Sequence, residues 1–301
     1  IIGKNQAFQR TISMAKEYAI TDFSVVILGE SGTGKEVFAQ SIHNYSKRRN
    51  GPFVAVNCAA LPGQLLESEL FGYVGGAFTG ASQKGKPGLF EVAHEGTLLL
   101  DEIAEMDYQT QGKLLRVLQE RQIMRLGSDK VIPVNVRVLA ATNKNLKRLV
   151  NEKLFRHDLY YRLNVLKLRI PPLREHPEDI QELAEKFLNN NYSIIKHNLR
   201  LSQEAIRELC RYKWPGNIRE LQSIMERVIA LHKQAVVDAD TIRMLLSEEA
   251  EEEYIEDYNS NEAENIKQAL ALNGGNYSET ARALGISRST LWRKLKKLGL
   301  K

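Results

Sequence analysis

Four short apolar runs, SVVIL at 24–28, PFVAV at 52–56, GTLLL at 96–100 and VRVLAAT at 136–142, are each bounded by polar or turn-forming residues. Their length and bounds predict buried strands. Between them the apolar spacing turns helical, as in Leu114, Leu115, Val117 and Leu118 of GKLLRVLQE. Alternating strands and helices predict an α/β domain whose parallel sheet is covered on both faces. After PPLREHPEDI the strand pattern stops, and helices are expected at roughly 177–197, 202–212, 217–231 and 238–246. Pro171, Pro172 and Pro177 punctuate that change, because proline ends regular elements and biases its predecessor to extended geometry. The tail ENIKQALALNGGNYSETARALGISRSTLWRKLKKLGL reads as a helix, a glycine turn, a short helix from about Ser278, a turn at Gly285 and a basic helix from Ser287. Ala281, Leu284, Ile286, Leu291 and Leu295 are spaced for a compact apolar centre, with Trp292 expected in the core. The expected divisions are residues 1–172, a helical lid at 173–246, a linker at 247–261 and a small all-α domain at 262–301.

Hydrophobic content of 43% and charged content of 26% across 301 residues exclude a fibrous or largely disordered chain. No apolar run approaches the roughly 18 residues of a membrane-spanning helix, and IIGKNQAFQR lacks the pattern of a secretory signal. A cytoplasmic location without membrane contact is expected. The first residue is Ile1, not Met, which suggests a missing upstream segment. Cys58 and Cys210 lie far apart with no metal-ligand spacing, so two reduced thiols are expected. A net charge of +5 permits an anionic partner, but its distribution says more. EEAEEEYIED at 248–257 is an acidic run, while the segment beyond it is rich in Lys and Arg.

Gly29, Glu30, Ser31, Gly32, Thr33, Gly34 and Lys35 follow a predicted strand and precede a predicted helix. That context suits a phosphate-cradling loop, in which glycines let successive N–H groups converge and the lysine supplies charge. A turn that merely reverses the chain is the plainer alternative. Glu36 stands where a Ser/Thr hydroxyl usually meets Mg²⁺. GTLLLDEI ends a buried strand in Asp101, suited to Mg²⁺ or its waters, and Glu102, suited to orienting an attacking water. Asn143, at the tip of the next strand, is expected either to meet a γ-phosphate and its water or to cap the following helix. Arg156 and Arg162 of FRHDLYYRL fit surface ion pairs or arginine fingers acting across a subunit boundary.

GESGTGKE, ELFGYVGGAFTGA, GTLLLDEI, LYYRLNVLKLRIPPLRE and WPGNIREL, in that order over about residues 1–245, resemble the bacterial enhancer-binding proteins. These are AAA+ activators of sigma-54 RNA polymerase, similar to the nitrogen regulatory protein C family. The resemblance implies an AAA+ P-loop NTPase fold with a helical lid, ATP and Mg²⁺ as ligands, and a ring of six or seven copies. It implies that Asn57 restrains Glu102 until the nucleotide state changes, that Arg156 and Arg162 act in trans, and that Arg219 senses nucleotide from the lid. It also implies that Gly76, Ala77, Phe78, Thr79, Gly80 and Ala81 form the loop that grips sigma-54. A glutamate at the Glu36 position is itself common in that family. Val74 and Asn135 depart from residues frequent there, which touches how the mobile loops are tethered.

The tail is similar to the Fis-type helix-turn-helix domain of these activators, which implies binding to an upstream DNA site and pairing of two copies. Such a motif sets the start of its second helix in the major groove, where Arg288 can reach base edges. Ser289, Thr290, Arg293, Lys294 and Lys297 are the accompanying candidates. Two other readings stay open: a DNA-binding regulator whose P-loop only senses nucleotide, and an AAA+ remodeller of another target.

Overall fold

The computed structural model describes residues 1–78, 82–190, 199–231 and 235–297, without the side chains of 190, 249–264 and 297. By contact the chain divides into two compact units, Ile1–Val236 and Val237–Lys301.

The first unit is built on five parallel strands: β1 (Val25–Leu28), β2 (Phe53–Asn57), β3 (Thr97–Asp101), β4 (Arg137–Thr142) and β5 (Leu166–Arg169). They lie in the order β2-β3-β4-β1-β5. Side chains alternate between two buried faces, as a strand period of two requires. Val26, Leu98, Leu100, Val138 and Ala140 enter one apolar cluster, while Val25, Ile27, Leu99, Leu139 and Ala141 enter the other. Burial on both sides explains why β1, β3 and β4 read as unbroken apolar runs. Strand β5 lacked that signature, because Lys167 and Arg169 interrupt it at the sheet edge.

Register decides where the chemistry sits. Asn57 pairs with Asp101, and Leu28 with Thr142, so the carboxyl ends of four strands share one edge. In an open α/β sheet that edge is where ligands bind.

Helix Gln6–Ala19 covers one face, its first turn capped by Asn5, whose Oδ1 accepts from the N–H groups of Ala7 and Phe8. Its last turn is closed by a side chain from the sheet. Arg137, 2% exposed, donates to the carbonyls of Tyr18 (2.7 Å), Ala19 (3.0 Å) and Phe23 (3.3 Å). Burial pushes its guanidinium down to about 10, still charged at neutral pH. Helices Ile180–Asn190, Gln203–Arg211 and Asn217–Leu231 follow the last strand, after the three prolines. The stretch 191–198, expected to continue the first of them, lies outside the described residues.

The second unit contains Ala239–Leu272, a single helix running through the acidic stretch, then Tyr277–Ala283 and Arg288–Lys297. Ile266, Ala281, Leu291 and Leu295 form its core, with Leu270, Leu284 and Ile286 packed against them. Gly285 turns at φ +66°, a conformation side chains resist. Trp292 corrects the expectation of a core position, being 47% exposed. Leu291 and Leu295 already fill the small centre, and the next residue after Leu291 is rotated about 100° away from it. Among the described residues, no helix is long and apolar enough to cross a membrane.

Arg137→Met should leave three carbonyls short of a donor and lower unfolding free energy by roughly 2–5 kcal/mol, read as an earlier urea midpoint at unchanged slope.

Candidate functional site

Strand β1 delivers the chain into Gly29–Gly34 and then helix Lys35–Asn44. Gly32 (φ +76°) and Gly34 (φ +87°) use glycine's freedom, and a Cβ on Gly32 would lie 2.1 Å from the Gly216 carbonyl oxygen. Thr33 pins the curl by donating its hydroxyl to the Glu30 carbonyl (2.8 Å). Lys35, 7% exposed, turns back over the loop and donates Nζ to the carbonyls of Gly29 (3.1 Å) and Glu30 (3.2 Å). The same ammonium lies 3.4 Å from the Glu102 carboxylate. Glu36, next in the helix, is exposed.

Glu102 itself is held at φ +48°, a left-handed conformation uncommon for a side chain this size. Asp101 uses Oδ1 to accept the Glu102 N–H (3.0 Å). Behind them Cys58 is buried, and burial with the neighbouring Asp101 and Glu102 charges pushes its thiol up to about 12. Both cysteines are free thiols, as expected. Asn57 does not touch Glu102 by hydrogen bond in this state. Its Oδ1 accepts the Ala59 N–H (2.8 Å), and the glutamate is held by Lys35 instead.

A cleft of about 530 Å³ opens along the same sheet edge, lined by Gly29, Glu30, Asn143, Lys144, Lys167 and Arg169 among others. Asn143 thus faces the cleft, while the cap of helix Leu146–Asn151 is Asn145, whose Oδ1 accepts the Arg148 N–H (3.1 Å). The two arginines make local contacts in this chain. Arg156 pairs with Asp158 (2.8 Å) and lies over the Tyr108 ring, and Arg162 donates to the Leu118 carbonyl (2.9 Å).

From the lid, Arg219 donates to the Ser31 hydroxyl (3.0 Å). Two further lid residues bear on the loop and were not singled out from sequence. Asn217, fully buried at φ +56°, donates Nδ2 to the Ser31 carbonyl (3.0 Å) and Glu30 (3.2 Å) and accepts the Leu173 N–H (2.8 Å). Arg174 forms a two-pronged pair with Glu30, at 2.6 and 2.7 Å. That pair, helped by Asn217, holds the Glu30 carboxyl well below its usual range, at about 2. The Gly-Asn step at 216–217 was the available signal, since Asn after Gly marks turns that need positive φ.

Gly76 (φ +77°) begins the second candidate segment. Phe78 is 41% exposed and meets Tyr73 edge-on at 5.0 Å. Thr79, Gly80 and Ala81 lie outside the described residues. The departure at Val74 leaves the backbone tether intact: Val74 N–H donates to the Leu126 carbonyl (3.0 Å) and Leu126 N–H to Gly72 (2.9 Å). Asn135 tethers as well, accepting from Arg48 (2.8 Å) and donating to Glu95 (3.1 Å).

In the second unit, Arg288, Ser289 and Arg293 are exposed, Thr290 and Lys294 half-buried. Ser289 and Thr290 share the Ser287 hydroxyl at the helix start (2.9 and 2.8 Å), and Lys297 ends the helix with its side chain undescribed.

A family model described as the sigma-54 interaction domain matches residues 1–169. The chain belongs to that family. Residues 174–257 match the AAA+ ATPase lid domain, and 261–298 the bacterial regulatory protein, Fis family. Among its relatives is a protein named limonene hydroxylase from Geobacillus stearothermophilus, 46% identical over 98% of this chain and 56% of its own length. The DNA-binding transcriptional regulator NtrC of Azospirillum brasilense is 39% identical over the whole chain and 69% of its own length. A signal-transduction and transcriptional-control protein of Clostridium beijerinckii is 44% identical, with 49% of it covered. The chain therefore spans about half the length of two of these curated relatives. The crystal structure of NtrX from Brucella abortus in complex with ATP superposes over 99% of the chain and 69% of that chain, with a TM-score of 0.72 at 35% identity. The parallel sheet, lid and terminal helices of this sigma-54 interaction domain protein are those of an AAA+ P-loop NTPase with a helix-turn-helix.

The Glu30–Arg174 pair gives a pH signature. Because Glu30's folded value lies below 4.5, its contribution is present above about pH 4.5 and is lost as pH falls toward about 2. The stability difference between wild type and Glu30→Gln, from urea unfolding at several acid pH values, should shrink through that window.

Proposed function

We propose that this chain is the motor and DNA-binding part of a sigma-54-dependent transcription activator, working in the bacterial cytoplasm. ATP hydrolysis in a ring of copies would remodel sigma-54 RNA polymerase and open the promoter, while residues 262–301 hold an upstream enhancer. The observation that carries the reading is the meeting of Lys35 with Glu102 beneath a phosphate-type loop, in a chain that also presents Phe78.

Lys35 and the backbone N–H groups of Gly29–Gly34 would bind the phosphates, with Glu30, Ser31, Thr33 and Glu36 shaping the loop. At present the ammonium is compensated by two carbonyls and Glu102. Incoming phosphate oxygens would draw it away and release Glu102 to orient water against the γ-phosphate. Asn57 then has a role as the restraint on Glu102 in another nucleotide state, and Asn143 as a contact for the γ-phosphate or its water. Asp101 offers the hard carboxylate oxygen that suits Mg²⁺, which when bound neutralises phosphate charge. Arg219 reports nucleotide to the lid. Arg156, half-buried, and Arg162, exposed, would complete the site of the next copy. Gly76–Ala81 would present Phe78 and Thr79 to sigma-54.

Lys35→Ala should lose ATP binding, whereas Glu102→Gln should keep binding and lose turnover, since only the transition state needs the oriented water. A nucleotide sensor without turnover predicts instead that Glu102→Gln changes nothing. Normal hydrolysis by either variant contradicts the assignment. For the polymerase contact, Phe78→Ala and Thr79→Ala should leave the thermal melt and ATPase rate near wild type and abolish promoter opening. A variant that opens promoters at the wild-type rate contradicts that role.

A further inference from the structure

The recognition-type helix Arg288–Lys297 carries a half-exposed aromatic residue beside its buried leucines. Its core contacts come from Leu291 and Leu295, both fully buried, and Trp292 remains 47% exposed. Ser289, Trp292, Arg293 and Lys296 are spaced i, i+3, i+4 and i+7, which sets them along one stripe of the helix, and all four are exposed. Lys296 Nζ lies 5.6 Å from the indole centroid, so the ring is steadied within a cationic surround. The helix, RSTLWRKLKK, has no carboxylate. A second copy of the same face would bring like charges together, whereas a polyanion is complementary to it.

We propose that Trp292 is a sequence-determining contact, its indole packing against the 5-methyl group of a thymine in the major groove. This rests on the reading of the second unit as DNA-binding. Arg293 and Lys296 meet phosphates and carry no sequence information, as charge contacts generally do not. The indole, by contrast, offers an exposed apolar surface, and the thymine methyl is the apolar group that base edges display in that groove. The side chain thus selects T·A at one position, which a basic stripe alone cannot do.

The test uses the full chain and a duplex selected by it from a random-sequence pool. The chain has two tryptophans, and Trp214 is fully buried, so a DNA-induced change in emission should appear in wild type and vanish in Trp292→Phe. Replacing one thymine of the selected site by deoxyuridine removes only the methyl and should weaken wild-type binding about fourfold, the worth of one buried carbon group. Trp292→Ala should be indifferent to that replacement and should select sites without a thymine preference there. Trp292→Phe should keep part of the preference, and Lys296→Ala should weaken all sequences alike. Selection of the same site by Trp292→Ala, with the same deoxyuridine penalty as wild type, overturns the proposal alone. Failure of the wild-type chain to retain any duplex overturns the DNA-binding reading with it.

Discussion

Lys35 keeps a positive charge almost out of water, and the geometry around it follows from the oxygens that this demands. A buried ammonium without compensating oxygens is expensive. Here the Gly29 and Glu30 carbonyls and the Glu102 carboxylate meet it, which forces the loop to curl back on its own helix. Only glycine tolerates the turns at positions 32 and 34, and only a strand ending level with β1 brings Glu102 to the ammonium. The loop, sheet register and lysine are therefore one constraint seen from three sides.

The lid is joined to that constraint through polar groups. Asn217 touches three parts of the chain at once: the loop at Glu30 and Ser31, the segment after β5 at Leu173, and its own turn at Pro215. Arg174 adds a charge pair to the same glutamate. Farther along, buried Asp179 accepts from the Asn5 N–H (3.1 Å) and from His176, whose ring stacks on Phe8. Chain start, lid and phosphate loop are thus linked by hydrogen bonds whose loss at one place leaves buried partners at another. Such bonds have defined geometry, so the positions of loop and lid are tied to one another.

The two units divide the charge problem differently. In the first, three arginines are compensated internally: Arg137 by helix-end carbonyls, Arg174 by Glu30, Arg156 by Asp158. In the second, helix Arg288–Lys297 exposes Arg288, Arg293, Lys296 and Trp292, over a core of a few aliphatic side chains.

Strands β1 to β4, the phosphate loop, the carboxylate pair and the terminal helix-turn-helix were legible because each depends on local spacing: apolar runs, glycines at fixed offsets, a basic helix after a glycine turn. Strand β5 was not, since an edge strand with Lys167 and Arg169 loses the apolar run that burial on both faces creates. Asn217 and Arg174 were missed because their partners lie 186 or 187 and 144 residues away in sequence, and no local pattern encodes such a pairing. Trp292 was misplaced because helical periodicity says which residues share a face but not how much volume the opposing helices leave to fill. By itself the sequence determined the elements that carry a local pattern, the family resemblance and the residue types of the candidate site. Tertiary structure alone decided that Lys35 is held by Glu102, that Asn143 lines a cleft and Asn145 caps a helix, and that the indole is about half exposed. Those outcomes turn on distances between residues far apart in the chain, which only packing sets.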